Sequence, residues 1–368
     1  MLTESRIPSC TRLLLSLLLC GALSGCGISY LAQATQGQWR LMRARRPIEK
    51  VLADPGSSVE LKARLELVRD ARAFASSELG LPDNRSYRSY SDLKRPYAVW
   101  NVVAAPEFSI HPLRWCFPFV GCLSYRGYFK ESNARALAAA LAAKGNDTLV
   151  AGVAAYSTLG HFADPVLNTM MRYGDLELVS MLFHELAHQL IYIRDDTVFN
   201  ESFAVTVEEE GLRRWLIARG RASELQEFLA RRAAFQSIVS TLAAGRAELD
   251  RLYQEPLGAE VMRARKREVL TALGQNVQAI ERQHELRSGY DGWIDGGLNN
   301  AHLASIATYS DCVPGFRQLL AQQGEDLSRF YAAVRKLRTQ PAARRALCAM
   351  TVPAAPAGSD AGSATPAS

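Results

Sequence analysis

The stretch FHELAHQLIYIRDDTVFNESFA, beginning at Phe183, concentrates two of the chain's six histidines and two glutamates within 22 residues. His184 and His188 stand four residues apart, so on a helix they share a face and their imidazoles can converge on a single tetrahedral zinc ion. Glu185 lies one step round, where it can reach an open coordination position and take a proton from water there. A catalytic zinc wants a third protein ligand, and Glu201 supplies it if a second helix runs back beside the first. Glu208 shares a face with Glu201 and can be the ligand instead, or the acceptor for a histidine N–H. The chemistry this set can do is metal-assisted hydrolysis, with zinc as the cofactor. The structural alternative is a buried helix whose histidines satisfy carbonyls, but a charged Glu185 between Phe183 and Leu186 is costly without a partner. For steadying an oxyanion, Tyr309 and Tyr192 are the available donors; His302 reads as an ordinary surface or core histidine.

These residues need particular elements to hold them. LELVSMLFHELAHQLIYI contains no breaker before Arg194, which predicts one helix with Asp175 as its N-cap. A turn at Arg194-Asp195-Asp196 then hands over to an antiparallel helix with Thr197 at its cap. Upstream, Ser57 or Ser58 starts a helix that Gly80 and Pro82 stop. Residues 97–129 are short, aromatic and β-branched and read as strands, with Cys116 to Cys122 as a turn; 131–145 reads as helix and 148–160 as a further strand. After residue 175 the pattern is almost wholly helical, including a hairpin in which 222–253 and 257–287 pair around Pro256 and Gly258.

Of the 368 residues, 48% are hydrophobic and 22% charged, a balance that supports a sizeable core and excludes general disorder. Arg6 and Arg12 precede the apolar run LLLSLLLCGAL, which reads as a signal peptide over residues 1–25. The following LSGC resembles the lipobox of bacterial lipoproteins, implying cleavage before Cys26 and its acylation; Gly27, in place of Asp, then implies an outer-membrane anchor facing the periplasm. Removing residues 1–25 takes away Arg6, Arg12 and Glu4, leaving 41 basic and 36 acidic residues and a net charge of +5. The basic residues are scattered along helical stretches without interleaved aromatics, so no nucleic-acid site is expected. Cys116, Cys122, Cys312 and Cys348 remain, an even set that in an oxidising compartment reads as two disulfides. Proximity favours Cys116 with Cys122 and Cys312 with Cys348 among the three pairings. Residues 351–368, rich in Pro, Ala, Gly and Ser, read as a disordered tail.

The blocks LSGC, CFPFVGCLSYRGYF, GVAAYSTLGHFADPVLNTM, FHELAHQLIY, NESFA with VEEEG, and ATYSDCVPGF together resemble the bacterial "putative aminopeptidase" lipoprotein family over most of residues 26–345. Asn200 to Ala204 is similar to the N-E-x-x-A element of gluzincin metallopeptidases, in which the Glu binds zinc. The pattern of elements suggests an α+β, mostly helical fold with a small mixed β-sheet and a helical C-terminal lobe, and the resemblance implies a zincin-like metallopeptidase. Its parts would be a lipidated tether and basic helix (26–56), a catalytic region (57–221) and a helical region (222–350). It also implies peptide or protein substrates laid along a sheet edge at 127–129 or 152–160. The G-x-M-E-N segment that holds a substrate ammonium in the large zinc aminopeptidases is absent, leaving Glu107, Glu131, Asp164 or Glu208 for that task. A zinc endopeptidase acting on envelope proteins, or a lipid-anchored scaffold that keeps the zinc fold without catalysis, are the alternative readings.

Overall fold

The computed structural model describes residues 27–117, 121–155, 158, 160, 162–306 and 312–350. The expected signal peptide over residues 1–25, Cys26, Tyr309 and the tail after Met350 lie outside the described residues.

Helix α1 spans Gly27–Arg43. The basic helix expected within residues 26–56 ends at Arg43. Arg46–Pro47 instead form β1, which pairs antiparallel with β2, Ser89–Ser91, after the short α2 (Ile48–Leu52) and α3 (Val59–Ser77). Ser58 caps α3, its hydroxyl accepting from the Leu61 N–H at 3.2 Å, and Leu65, Val68, Ala71 and Ala75 form the buried stripe. The rest of the sheet structure comes from β3 (Val99–Pro106), β4 (Trp115–Phe117), β5 (Gly121–Leu123), β6 (Arg126–Tyr128), then α4 (Glu131–Ala142), β7 (Asn146–Val153) and β8 (Val166–Leu167). The strand expected over 148–160 ends at Val153.

Instead of one small mixed sheet, three small ones form: β6-β3-β7, all antiparallel; β1-β2-β8, in which β2 and β8 run parallel; and the β4-β5 hairpin. In that hairpin Cys116 stands opposite Cys122, and the two are joined by a disulfide. β3 is buried on both faces, with Trp100 and Val102 against Ala134 and Ala138 of α4 and Val103 on the other side. The outer edge of β6 is covered by α1: the Gln33 carboxamide accepts from the Phe129 N–H at 3.3 Å and donates to the Gly127 carbonyl at 3.5 Å. The edge expected at 127–129 for a substrate strand is therefore taken by the protein itself.

The helical part comprises α5 (Asp175–Leu190), α6 (Thr197–Ala218), α7 (Ala222–Leu252), α8 (Ala259–Gln283), α9 (Asp291–Asp295), α10 (Asn300–Ile306), α11 (Val313–Gln322), α12 (Leu327–Leu337) and α13 (Pro341–Cys348). The expected hairpin is α7 with α8, and it has its own core around Ile238, Leu242, Leu249, Leu273 and Val277. The Lys266 ammonium fastens α8 to the sheet, donating to Asp147 Oδ2 at 2.6 Å and the Glu107 carbonyl at 2.8 Å. The main core is separate: Phe183, Phe199, Phe203 and Trp215 from α5 and α6 meet Phe316 and Phe330 from α11 and α12. A Cys312–Cys348 disulfide closes this C-terminal segment, giving the pairing expected. The architecture is α+β and mostly helical. Among the described residues no helix is long and apolar enough to cross a membrane.

Candidate metal centre

Helix α5 places its apolar side chains, including Leu182, Phe183, Leu186 and Ala187, in the core and leaves His184 and Glu185 half-buried on the opposite face. Its N-cap is Gly174 rather than Asp175, which is the first helical residue and pairs with Arg64. The motif lies inside the helix as expected, but Ile191 turns extended at the C-terminus. Tyr192 is therefore off the helix; burial and the nearby Glu201 charge push its hydroxyl's pKa up.

Asp196, not Thr197, caps α6, accepting from the Phe199 N–H at 3.4 Å. The joint between the two helices is locked by Asn200, whose Oδ1 accepts from the Ile193 N–H at 2.8 Å and whose Nδ2 donates to the Ile193 carbonyl at 2.7 Å. That reciprocal amide contact fixes the register of the next residue, Glu201. Gly211 lets the helices stay close further along: a Cβ there would stand 2.9 Å from the Phe183 ring, a clash in a core at native density.

The result is a triangle of donors. His184 Nε2 and His188 Nε2 are 3.1 Å apart, and Glu201 Oε2 lies 3.3 Å from the first and 3.7 Å from the second. Three ligands on a zinc ion at ordinary bond lengths in tetrahedral array stand about 3.3–3.4 Å from one another. His184, His188 and Glu201 also form the sole such group among the described residues able to hold a metal. Two imidazole nitrogens and a carboxylate oxygen at that spacing fit a bound ion.

Glu208 takes the supporting role and not the ligand position: its Oε2 is 3.0 Å from His184 Nδ1, which leaves Nε2 aimed into the triangle. Its Oε1 accepts from Arg232 at 2.7 Å. Burial alone would lower the His184 pKa, but Glu201 and Glu208 outweigh it and raise it to about 10 in the metal-free protein. Both carboxyls, against the opposing effect of burial, are held down to about 2, Glu201 by the two histidines and Glu208 by Arg232 and His184. His188 Nδ1 is buried and has no partner among the described residues.

Around this centre stand groups that the sequence did not single out. Asp195, at φ 62°, accepts from the Cys122 N–H at 3.3 Å and occupies the space beside Gly121, whose φ is 82°. This docks the β5-β6 turn over the α5-α6 joint and brings Tyr125 to the site. Desolvation, followed by the charges of Glu201 and Glu185, pushes the Tyr125 hydroxyl up to about 12. The sequence showed Tyr125 only as one residue of an aromatic strand. Of the four carboxylates considered for an ammonium, Glu107 is paired with Arg263, Glu131 with Arg135, and Glu208 with His184 and Arg232. Asp164 is buried and accepts from the Thr158 N–H and hydroxyl at 2.9 and 2.8 Å; burial, with a contribution from Glu185, raises it to about 6. His302 is a core histidine, packed on Trp293 and bonded to Asn299, with its pKa lowered to about 4 by burial.

The fold and this site define a helical α+β protein with a His-His-Glu group suited to a metal. Residues 29–348 match the family described as "putative aminopeptidase", and the chain belongs to that family. No curated protein and no solved structure matches it.

Proposed function

We propose that the protein is a zinc-dependent aminopeptidase of the gluzincin, zincin-like type, lipid-anchored through Cys26 and acting on peptides at the periplasmic face of a bacterial membrane. The observation that carries the reading is the donor triangle at 3.1, 3.3 and 3.7 Å with Glu185 next to His184, in a chain of an aminopeptidase family. His184, His188 and Glu201 would hold the ion, and a His-His-Glu donor set suits zinc. Zinc, when bound, supplies a Lewis acid that polarises the scissile carbonyl and acidifies water. Glu185 accepts the proton of the attacking water and passes it to the leaving amine. Glu208 keeps the His184 ring oriented. Tyr309 donates to the developing oxyanion. Tyr125 offers a second hydroxyl at the same centre. Support for a membrane-surface location comes from α1, directly after Cys26, where Trp39 is exposed and Arg43 stacks over it at 4.9 Å.

The test is the mature chain with Cys26→Ser, loaded with zinc, on peptides with free and acetylated N-termini, analysed by mass spectrometry beside Glu185→Gln. Stepwise loss of N-terminal residues from free peptides alone, abolished in the variant, is the expected result. Internal cuts in both peptide sets would make the protein an endopeptidase; no cuts with zinc bound would overturn a peptidase reading in favour of a scaffold.

A further inference from the structure

We infer that Arg232, on the helical hairpin and outside the metal-binding helices, is a positioning residue of the metal centre: it holds Glu208 where Glu208 can orient His184. The inference rests on the zinc site proposed above. Glu208 spends one oxygen on each neighbour, Oε2 on His184 Nδ1 at 3.0 Å and Oε1 on Arg232 Nη1 at 2.7 Å. It is only 8% exposed, so losing Arg232 leaves a buried carboxylate oxygen without a donor. The side chain then gains by swinging out to water, and His184 loses the acceptor that fixes its ring.

Arg232 also uses a second arm. Its Nε lies 2.9 Å from Oε1 of Glu209, whose Oε2 is bound by Arg317 from α11 at 2.5 Å. A simple fastener between α6 and α7 would need both arms equally. A positioning residue needs only the arm to Glu208. The two arms end on different acids, so they can be cut separately. If Arg232 positions His184, the affinity of the α5-α6 site for metal depends on a side chain from α7, 24 residues beyond Glu208.

The experiment compares Arg232→Gln, Arg232→Lys and Glu209→Gln in the Cys26→Ser chain. It measures zinc affinity by competition with a chromophoric chelator, melting temperature, and kcat and KM on any peptide the parent cuts. Changes to groups that orient a metal-binding histidine typically cost 10–100-fold in metal affinity, so R232Q is expected to weaken zinc binding by about tenfold and to lower kcat with KM within about twofold. E209Q is expected to lower the melting temperature while leaving zinc affinity within about twofold of the parent. Equal melting shifts in R232Q and E209Q with unchanged zinc affinity in both would overturn the inference. Should R232Q not fold, R232K decides. Lysine keeps the charge but lacks the planar fork that gives each acid its own nitrogen, so affinity must fall by about threefold or more; no fall overturns the inference. The chelator measurement needs no turnover, so a parent that binds zinc and cuts nothing would count against the peptidase reading alone.

Discussion

Asn200→Ala is the most demanding test of how α5 and α6 are joined. The asparagine is 1% exposed and satisfies both the N–H and the carbonyl of Ile193, at 2.8 and 2.7 Å. Alanine would leave the half-buried Ile193 N–H without its acceptor, while the carbonyl keeps the Asp196 N–H at 3.3 Å, so a loss of about 1–3 kcal/mol follows. For a chain of this size each kcal/mol moves the melting temperature by about 2 °C, which gives a drop of about 2–6 °C. Asn200→Asp separates the two bonds. It keeps the acceptor for the N–H but sets a carboxylate against the Ile193 carbonyl, so its folded pKa is raised above the unfolded value of about 3.9. A group raised in that way stabilises the fold below the unfolded pKa and loses that contribution as pH rises through the folded pKa. The Asp variant should therefore trail the parent at pH 7 and close much of the gap near pH 4, where its protonated carboxyl donates again. The assay is thermal unfolding by circular dichroism in chelator, at both pH values. An alanine variant melting within about 1 °C of the parent at pH 7 would refute the argument, because the joint would then be held by something other than this amide.

Three further outcomes are expected. Glu185→Gln should keep the fold and its zinc, read by metal analysis and circular dichroism, while peptide cleavage drops by about 100-fold or more; retained activity would remove Glu185 from the chemistry. In the metal-free protein, Glu201 and Glu208 have pKa values held near 2, below the ordinary glutamate value of 4.5, so they stabilise the fold above pH 4.5 and that contribution disappears as pH falls toward 2; acid titration of the apo protein should show the loss, and replacing Glu208 with Gln should flatten it. Breaking the Cys312–Cys348 disulfide by Cys348→Ser removes a crosslink with a sequence separation of 36, worth about 4 kcal/mol by loop entropy; an unfolding midpoint in urea unchanged from the parent would show that the segment is held by its aromatic contacts alone.

The parts legible in the sequence were those written in local spacing. The i, i+4 histidines, the uninterrupted apolar helix around them and the α7-α8 hairpin all follow from periodicity. The cysteine pairs followed from compartment and proximity. Helix ends were less legible, because Gly174, Asp196 and the extended Ile191 act through backbone geometry that several nearby residues could have supplied equally well. Contacts across long separations were not legible at all. Nothing local to Tyr125 shows that a docked turn will bring it to Glu201, and nothing in the arginines of α7 marks Arg232 as Glu208's partner. The covering of the β6 edge by Gln33, 94 residues upstream of Gly127, is of the same kind.

Cys312, which opens the last helical segment, donates to Ser202 from 110 residues away, and Phe316 and Phe330 complete the core around Phe199 and Phe203. A chain delivered N-terminus first therefore presents α5 and α6 long before the segment that closes over them. During that interval α6 exposes its aromatic face and cannot hold its final position. Assembly of the centre is thus tied to delivery of residues 312–330, so a chain that stops before them carries the His-Glu motif without a finished site.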